Sequence, residues 1–106
     1  MNLISRNEEF ILLTILKLRD QAYGVSIRRQ IKEDTDETWS FASIYQPLDK
    51  LLRKGFVQKV KGEPTAERGG KSKFYYFLTP EGKQALLAVQ ERHDRLWRDV
   101  PEIVKD

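Results

Sequence analysis

With 106 residues, the chain is long enough to form one domain and too short to form two. Hydrophobic residues make up 40% of the chain and charged residues 33%, which excludes an intrinsically disordered protein and an integral membrane protein. The lack of cysteine and the single histidine exclude disulfide bonds, cysteine nucleophiles and histidine-rich metal sites. We therefore expect no catalytic residues, no metal and no cofactor. We also expect a cytoplasmic chain, because the sequence shows neither a membrane span nor a secretory leader.

Basic residues are concentrated in the middle of the sequence. The stretch from Lys50 to Lys83 contains nine basic and three acidic residues, although the whole chain has a net charge of only +3. The remaining residues are therefore net acidic. A basic segment in an otherwise ordinary domain is typical of a surface that faces nucleic acid, although a solvated charged face gives the same pattern.

Two helices are predicted in the first third of the chain. Ser5 and Glu8 have the spacing of a capping box, and the mainly apolar run from Phe10 to Leu18 follows them, which predicts a buried first helix. The segment from Asp20 to Gly24 breaks this helix. A shorter amphipathic helix with a basic side comes next, and its pattern rests on Val25, Ile27, Arg28, Arg29, Ile31 and Lys32.

A third helix is predicted to end at Gly55, where a left-handed C-terminal cap would lie. Its apolar face is expected to consist of Phe41, Ile44, Leu48, Leu51 and Leu52. Pro47 lies inside this helix and removes a backbone hydrogen bond. We therefore expect the regular helix to start near Ser43 or to bend at Pro47.

The sequence then changes to patterns that are typical of strands. The segment from Phe56 to Lys61 alternates apolar and polar side chains in its later part, and the segment from Lys73 to Leu78 is rich in aromatic residues. The polar stretch from Gly62 to Gly70 is too long for a tight turn. Together these segments predict a two-stranded ribbon with a protruding tip.

A final long helix is predicted to follow Thr79, which caps it, and to have Pro80 at its first position. Its apolar side recurs at alternating spacings of three and four residues, a pattern typical of helices that pair with another helix. The residues predicted to form a dimer contact are Leu86, Val89, His93, Leu96 and Val100. Pro101 is expected to stop or kink the helix.

This order of elements is typical of a winged helix-turn-helix domain with an added dimerisation helix. The fold class is therefore predicted to be mostly α-helical with a small two-stranded β-wing. Residues 1–78 are predicted to form the DNA-binding domain, and residues 79–106 the C-terminal dimerisation helix of the same structural unit. In this arrangement the third helix enters the major groove and the ribbon lies along the DNA backbone or minor groove.

Several short motifs resemble those of the PadR-like family of transcriptional regulators. They lie at the second helix (Ala22 to Ile27), in the third helix (Ser43 to Leu51) and at the start of the wing (Gly55 to Val57). Two more lie at the return of the wing (Gly69 to Tyr76) and at its junction with the last helix (Leu78 to Gly82). The resemblance covers the chain from about Glu8 to Leu87.

The resemblance implies a homodimeric repressor that binds an inverted repeat in double-stranded DNA and, in some members, releases it when a small aromatic compound binds. In relatives that respond to drugs, a tryptophan on the last helix stacks on a flat ligand, which makes Trp97 a candidate effector contact. The alternative is that Trp97 only packs in the dimer. His93 has two interpretations: a pH-sensitive dimer contact, or an ordinary pairing with a neighbour such as Asp94 or Arg92 of either chain.

The residue types also favour contacts with DNA. Hydroxyl and cationic groups hold phosphates without reading sequence, and the candidates are Tyr23, Arg28, Arg29, Tyr45, Lys50, Arg53 and Lys54, with Arg68, Lys71 and Lys73 from the wing. Base readout is expected from the early part of the third helix, at Ser40, Ala42, Ser43, Gln46 and also Asp49. Gln46 is the strongest candidate, because its amide can form two hydrogen bonds with adenine.

The sequence supports two other functional classes less well. A winged-helix module that binds another protein through its last helix would use the basic wing only for solubility. An enzyme is disfavoured because the sequence offers no set of nucleophile, base and orienting group. A salt-dependent DNA complex that resists competitor would distinguish the regulator from the interaction module.

Overall fold

Helices and strands occur in the predicted order in a computed structural model, which describes residues 4–64 and 72–103. Helices α1 (Arg6–Leu18), α2 (Gly24–Thr35) and α3 (Phe41–Lys54) come first, with a short 3-10 turn (Arg19–Gln21) after α1. Strands β1 (Val57–Pro64) and β2 (Ser72–Leu78) form a two-stranded antiparallel sheet, and α4 (Pro80–Trp97) follows. The predicted fold class, a winged helix-turn-helix with a C-terminal helix, is confirmed. Each helix in the described ranges is too short or too polar to cross a membrane.

One apolar core joins the first three helices, the sheet and α4. Buried side chains of α1, α2 and α3 form its centre: Ile11, Leu12, Ile15, Ile27, Ile31, Ile44, Leu48 and Leu51. Phe56, Val57 and Tyr76 bring the sheet onto this centre. Burial of each large aliphatic side chain contributes about 1.5–3 kcal/mol to folding. These contacts therefore determine how the three helices are arranged.

Glu8 connects the start of α1 to the end of α3. The predicted capping box is present: the Glu8 amide donates to Ser5 Oγ (3.1 Å), and the Ser5 amide donates to Glu8 Oε1 (2.7 Å). Lys54 Nζ also donates to both carboxylate oxygens of Glu8, at 3.0 and 2.8 Å. Burial disfavours the charged form of this carboxyl, but the hydrogen bonds from Lys54 and Ser5 outweigh burial and hold the pKa of Glu8 below its usual value.

Helix α3 differs from the expectation in its start and in its apolar face. It begins at Phe41, because Ser40 Oγ accepts a hydrogen bond from the Ser43 amide (3.1 Å) and caps the first turn. The regular helix therefore starts two residues before the predicted position at Ser43, and Pro47 lies inside it. Phe41 was predicted in the core but is 46% exposed. Gly55 ends the helix as predicted, with a left-handed φ of 79° that favours glycine.

The wing is joined to the helices at its base. Val57 pairs with Leu78 and Val60 pairs with Tyr75 across the sheet. The Tyr76 amide donates to the carbonyl oxygen of Ala22 (2.8 Å), in the segment that leads into α2. This bond extends the edge of the sheet to the helix-turn-helix, so that the wing and α2 are positioned together.

Helix α4 begins as predicted, because Thr79 Oγ1 accepts a hydrogen bond from the Gly82 amide (3.0 Å). It ends at Trp97, so Val100 lies beyond the helix and not on its apolar side as predicted. Leu86 and Val89 are only 8% and 7% exposed. They are already largely covered by their own chain, and their part in a dimer contact stays a prediction.

Replacing Glu8 with glutamine is expected to lower the free energy of unfolding at neutral pH by about 1–2 kcal/mol. Glutamine still caps α1, but it cannot form the ion pair with Lys54. Because the folded-state pKa of Glu8 is lowered, its stabilisation is present above the unfolded-state pKa and is lost as the pH falls through the folded-state pKa. Urea unfolding should therefore show that the difference in free energy of unfolding between wild type and Glu8→Gln is smaller at about pH 3 than at neutral pH.

Glu33→Gln is the matched control, because Glu33 is an exposed carboxylate on α2. This variant should change the free energy of unfolding by less than about 0.5 kcal/mol at either pH. A loss in Glu8→Gln that is equal at both pH values would contradict a role for the charge.

Candidate nucleic-acid interface

The exposed side of α3 carries the predicted base-reading residues. Ile44, Leu48 and Leu51 face the core. The exposed residues of the helix include Ala42, Gln46, Asp49, Lys50 and Arg53. Within the ranges that the structure describes, the Gln46 amide has no hydrogen-bond partner, so its donor and its acceptor are open to a ligand.

Ser40 and Ser43 are partly occupied by the cap of α3. Ser40 Oγ donates to Ser43 Oγ (2.9 Å) and accepts from the Ser43 amide (3.1 Å). The Ser43 hydroxyl hydrogen is still free to bind a further acceptor. Of these two predicted readers, Ser43 therefore has the greater capacity to contact a ligand.

The predicted phosphate contacts include three exposed cations on α2 and α3: Arg29, Lys50 and Arg53. Arg28 is half-buried, because its Nε donates to the Trp39 carbonyl oxygen and its guanidinium lies 4.7 Å from the centre of the Phe41 ring. Lys54 is bound to Glu8. Its predicted contact with DNA stays a prediction.

Tyr23, Tyr45 and Lys73 come together where α2, α3 and the wing meet, around an open cavity of about 350 Å³. Lys73 Nζ lies 4.2 Å from the centre of the Tyr23 ring, a cation–π contact that holds the ammonium near the start of α2. A Cβ on Gly24 would lie 1.9 Å from the Tyr45 hydroxyl oxygen, so only glycine lets Tyr45 approach this helix end. The start of α2 carries partial positive charge, and two lysines against one carboxylate, Asp49, line the cavity, so the junction suits an anionic group.

Lys59 also belongs to this junction, although it was not among the predicted contacts. Its Nζ lies 4.3 Å from the centre of the Phe74 ring, and it lines the same cavity as Lys73. The sequence did contain a signal for Lys59: it alternates with Lys61, which places both lysines on one face of β1. The other two predicted wing contacts, Arg68 and Lys71, lie outside the described residues.

A second surface, between α1 and α4, is apolar. A groove of about 470 Å³ separates the two helices and is lined by Leu13, Leu16, Leu86 and Leu87 with Glu9, Lys83, Gln90 and His93 at its polar positions. Leu87 is 55% exposed and Trp97 is 63% exposed. The exposed apolar residues of the two helices, here named the apolar face, are Leu13, Leu16, Leu87, Leu96 and Trp97. An exposed apolar face of this kind is typical of a contact with another protein chain.

His93 pairs with α1 and not with a neighbour on its own helix. Its Nε2 lies 3.5 Å from Glu9 Oε2, at the edge of the groove. Within the single chain the contact of His93 is therefore with Glu9, whereas a contact with Asp94 or Arg92 of a second copy stays a prediction. The reason is the helical period, because His93 follows buried Val89 by one turn and so lies on the side of α4 that meets α1.

Comparisons with known proteins identify both a family and a fold. Residues 12–88 match the profile of the family described as Transcriptional regulator PadR-like family. A transcriptional regulator from Clostridium thermocellum has 24% sequence identity and a TM-score of 0.74, over 93% of this chain and 90% of that chain. A PadR family transcription regulator from Clostridium difficile has 25% identity and a TM-score of 0.62, over 86% of each chain. A PadR-like transcription factor from Bacteroides fragilis has 24% identity and a TM-score of 0.69, over 84% of this chain and 81% of that chain.

A comparison with curated protein sequences gives no significant match. The three solved structures share the fold of this chain. The family profile covers the helix-turn-helix and the wing, and it ends inside α4.

Proposed function

The chain belongs to the PadR-like family of transcriptional regulators, and we propose that it is a homodimeric repressor that binds a palindromic operator in double-stranded DNA. A member of this family is a regulator and not an enzyme. The observation that carries the proposal is the exposed side of α3, where Gln46 lies one helical turn after Ala42 and one turn before Lys50. On that side the small residue Ala42, the unpaired amide of Gln46 and the cation of Lys50 follow one another along the helix axis.

We propose that α3 enters the major groove and reads bases through its N-terminal half. The amide of Gln46 can donate to adenine N7 and accept from adenine N6, which no other base pair matches in the same way. Ala42 leaves room for the DNA to approach, and Ser40 and Ser43 lie in the turn nearest the groove. Asp49 lies farther along the helix and suits the amino group of a cytosine.

Phosphate contacts are proposed from two groups of residues. The cations of α2 and α3 form the first group: the half-buried Arg28 and the exposed Arg29, Lys50 and Arg53. The junction with the wing forms the second, with Tyr23, Tyr45, Lys59 and Lys73 around the start of α2. Arg68 and Lys71 are proposed as further contacts from the wing. Such contacts position the protein on the duplex without reading its sequence.

We propose that the apolar face pairs with the apolar face of a second copy. This pairing would bury Leu87, Leu96 and Trp97, which a single chain leaves in water at a cost of about 25 cal/mol per Å². His93 lies at the edge of the groove and would border the contact. A two-fold dimer places its two α3 helices in successive major grooves, about 34 Å apart, which requires an inverted repeat.

We further propose that a small aromatic effector stacks on Trp97. The indole is largely exposed at the end of α4, next to the apolar face, and a planar ring could stack on it. The effector would act by changing how the two copies pair, and thus how far apart their α3 helices lie.

Selection of duplexes from a random DNA pool, at two salt concentrations, tests the DNA-binding proposal. We expect an inverted repeat with half-site centres about 34 Å apart and retention of the specific complex in the presence of competitor. Gln46→Ala should relax the preference at one position of each half-site, because it removes the amide that reads the base. Lys50→Ala is the matched control and should weaken binding to all sequences alike. It should also lower the slope of the logarithm of the binding constant against the logarithm of the salt concentration by about one.

Two outcomes would contradict this proposal. If Gln46→Ala weakened binding to all sequences equally, the Gln46 side chain would position the protein on DNA and would not read a base. If no duplex were enriched and binding vanished at moderate salt, a protein-interaction module would be the better description.

Replacing Leu87 with serine should shift the protein from dimer to monomer in sedimentation experiments. Leu87 is exposed in the single chain, so the change should leave folding intact while making the pairing of apolar faces less favourable. Val60→Ser is the control, since it changes an exposed apolar residue on β1 and should preserve the dimer. Equal dimer fractions in both variants would place the contact elsewhere.

In a Trp39→Phe variant, Trp97 is the sole tryptophan and its emission reports on its surroundings. Phenylalanine should preserve the stacking of residue 39 on Phe10, whose ring centre lies 5.9 Å away. A planar aromatic effector is expected to quench or shift the emission of Trp97 in a saturable way. Unchanged emission across a panel of such compounds would argue against Trp97 as an effector contact.

A further inference from the structure

Phe41 is an exposed apolar side chain in a polar surface. It occupies the first position of α3 and is nearly half exposed, whereas Ile44, Leu48 and Leu51 of the same helix are buried. Its ring contacts Tyr45, one turn later, and Arg28 on α2, so it lies at the side of α3 that faces α2. Burying Phe41 would require a rotation of α3 that moves Leu51 out of the core.

Neighbouring groups hold the Phe41 ring in place. The Tyr45 ring lies almost parallel to it, at 23° and 6.4 Å between ring centres. On α2, the Arg28 guanidinium lies 4.7 Å from the ring centre and is itself fixed by its bond to the Trp39 carbonyl oxygen. Tyr45 is held against Gly24. A ring that is already fixed loses little conformational freedom when a ligand covers its open side.

The surroundings of Phe41 indicate which ligand fits it. Arg28 and Arg29 on α2 are cations, and Ala42 and Gln46 on α3 are small or uncharged. These neighbours combine two positive charges with an amide that can both donate and accept hydrogen bonds. They fit a ligand that presents phosphates and polar base edges. In the major groove of DNA, the apolar group available to a phenyl ring is the C5-methyl group of thymine.

We propose that Phe41 contacts a thymine C5-methyl group and determines a preference for thymine at one position of each half-site. This inference rests on the proposed function, because it takes α3 as the helix in the major groove. Gln46 then reads a base by hydrogen bonds, and Phe41 reads a neighbouring base by burying its methyl group. Arg28 is a positioning residue, since it supports the ring and does not contact the base.

Deoxyuridine isolates this contact, because it differs from thymidine only by lacking the methyl group. Operators from the selection are prepared with one thymidine at a time replaced in both half-sites and are titrated with wild type and with Phe41→Ala. We expect one position at which the replacement weakens wild-type binding about fourfold per half-site, as burial of one methyl group implies. At that position Phe41→Ala should bind both duplexes equally.

Further variants separate the ring contact from general effects on binding. Phe41→Leu should keep part of the sensitivity to deoxyuridine, since leucine is also apolar. Tyr45→Phe removes only a hydroxyl and should keep the full sensitivity to deoxyuridine. Lys50→Ala should bind more weakly but show the wild-type sensitivity at every position. Thermal unfolding of each variant checks that its fold is intact.

Two results would overturn the inference, and they are distinguishable. If wild type and Phe41→Ala lost the same affinity at every replaced thymidine, Phe41 would not contact a methyl group, while specific DNA binding would stand. If the selection enriched no duplex, the proposed function and this inference would fail together, and a protein partner would be the better occupant of the Phe41 surface.

Discussion

The Glu8 carboxylate joins two helix ends that are 46 residues apart in sequence, and the contact between the start of α1 and the end of α3 depends on it. It closes the first turn of α1 by accepting from the Ser5 amide, and it receives the Lys54 ammonium from the last turn of α3. A buried carboxylate is costly unless its partners satisfy it, so the charge is tolerated only when both helix ends are in place. The pair therefore holds the first turn of α1 against the last turn of α3, within the arrangement that the apolar core determines.

The wing is positioned by a second set of contacts at the start of α2. The backbone bond from Tyr76 to Ala22 aligns β2 with this segment, and the cation–π contact of Lys73 with Tyr23 connects the two again through side chains. Gly24 allows Tyr45 of α3 to reach the same place. The proposed phosphate contacts of α2, α3 and the sheet are thus arranged before DNA binds. Such preorganisation increases affinity because fewer groups must be ordered on binding.

Helix α1 lies between the proposed DNA-binding surface and the proposed dimer surface. Its adjacent residues Glu8 and Glu9 pair with different elements, Glu8 with Lys54 of α3 and Glu9 with His93 of α4. Any change in the packing of α4 against α1 therefore acts on the helix that also holds α3. In a dimer, the separation of the two α3 helices would follow from how the two apolar faces pair. Through this connection, the proposed effector at the apolar face would act on DNA affinity.

Local patterns in the sequence determined the order of the elements and most of their ends. The capping box at Ser5, the cap at Thr79 and the left-handed Gly55 were predictable because each depends on residues within one turn of chain. Apolar periodicity identified the helices and the strands for the same reason. The PadR-like motifs extended these expectations to the winged helix-turn-helix fold, which the structure has.

Tertiary packing decided which face of each element is covered, and periodicity alone does not contain that information. The apolar spacing of α4 does not reveal that Leu86 belongs to the core of its own chain while Leu87 is exposed. The exposure of Phe41 and the pairing of Lys54 with Glu8 likewise depend on neighbours far away in sequence. The sequence by itself therefore determined the elements and the chemistry available on them. Only the tertiary structure decided which of those groups are buried in the core and which are exposed for the proposed contacts with DNA and a second chain, because that depends on long-range contacts between elements.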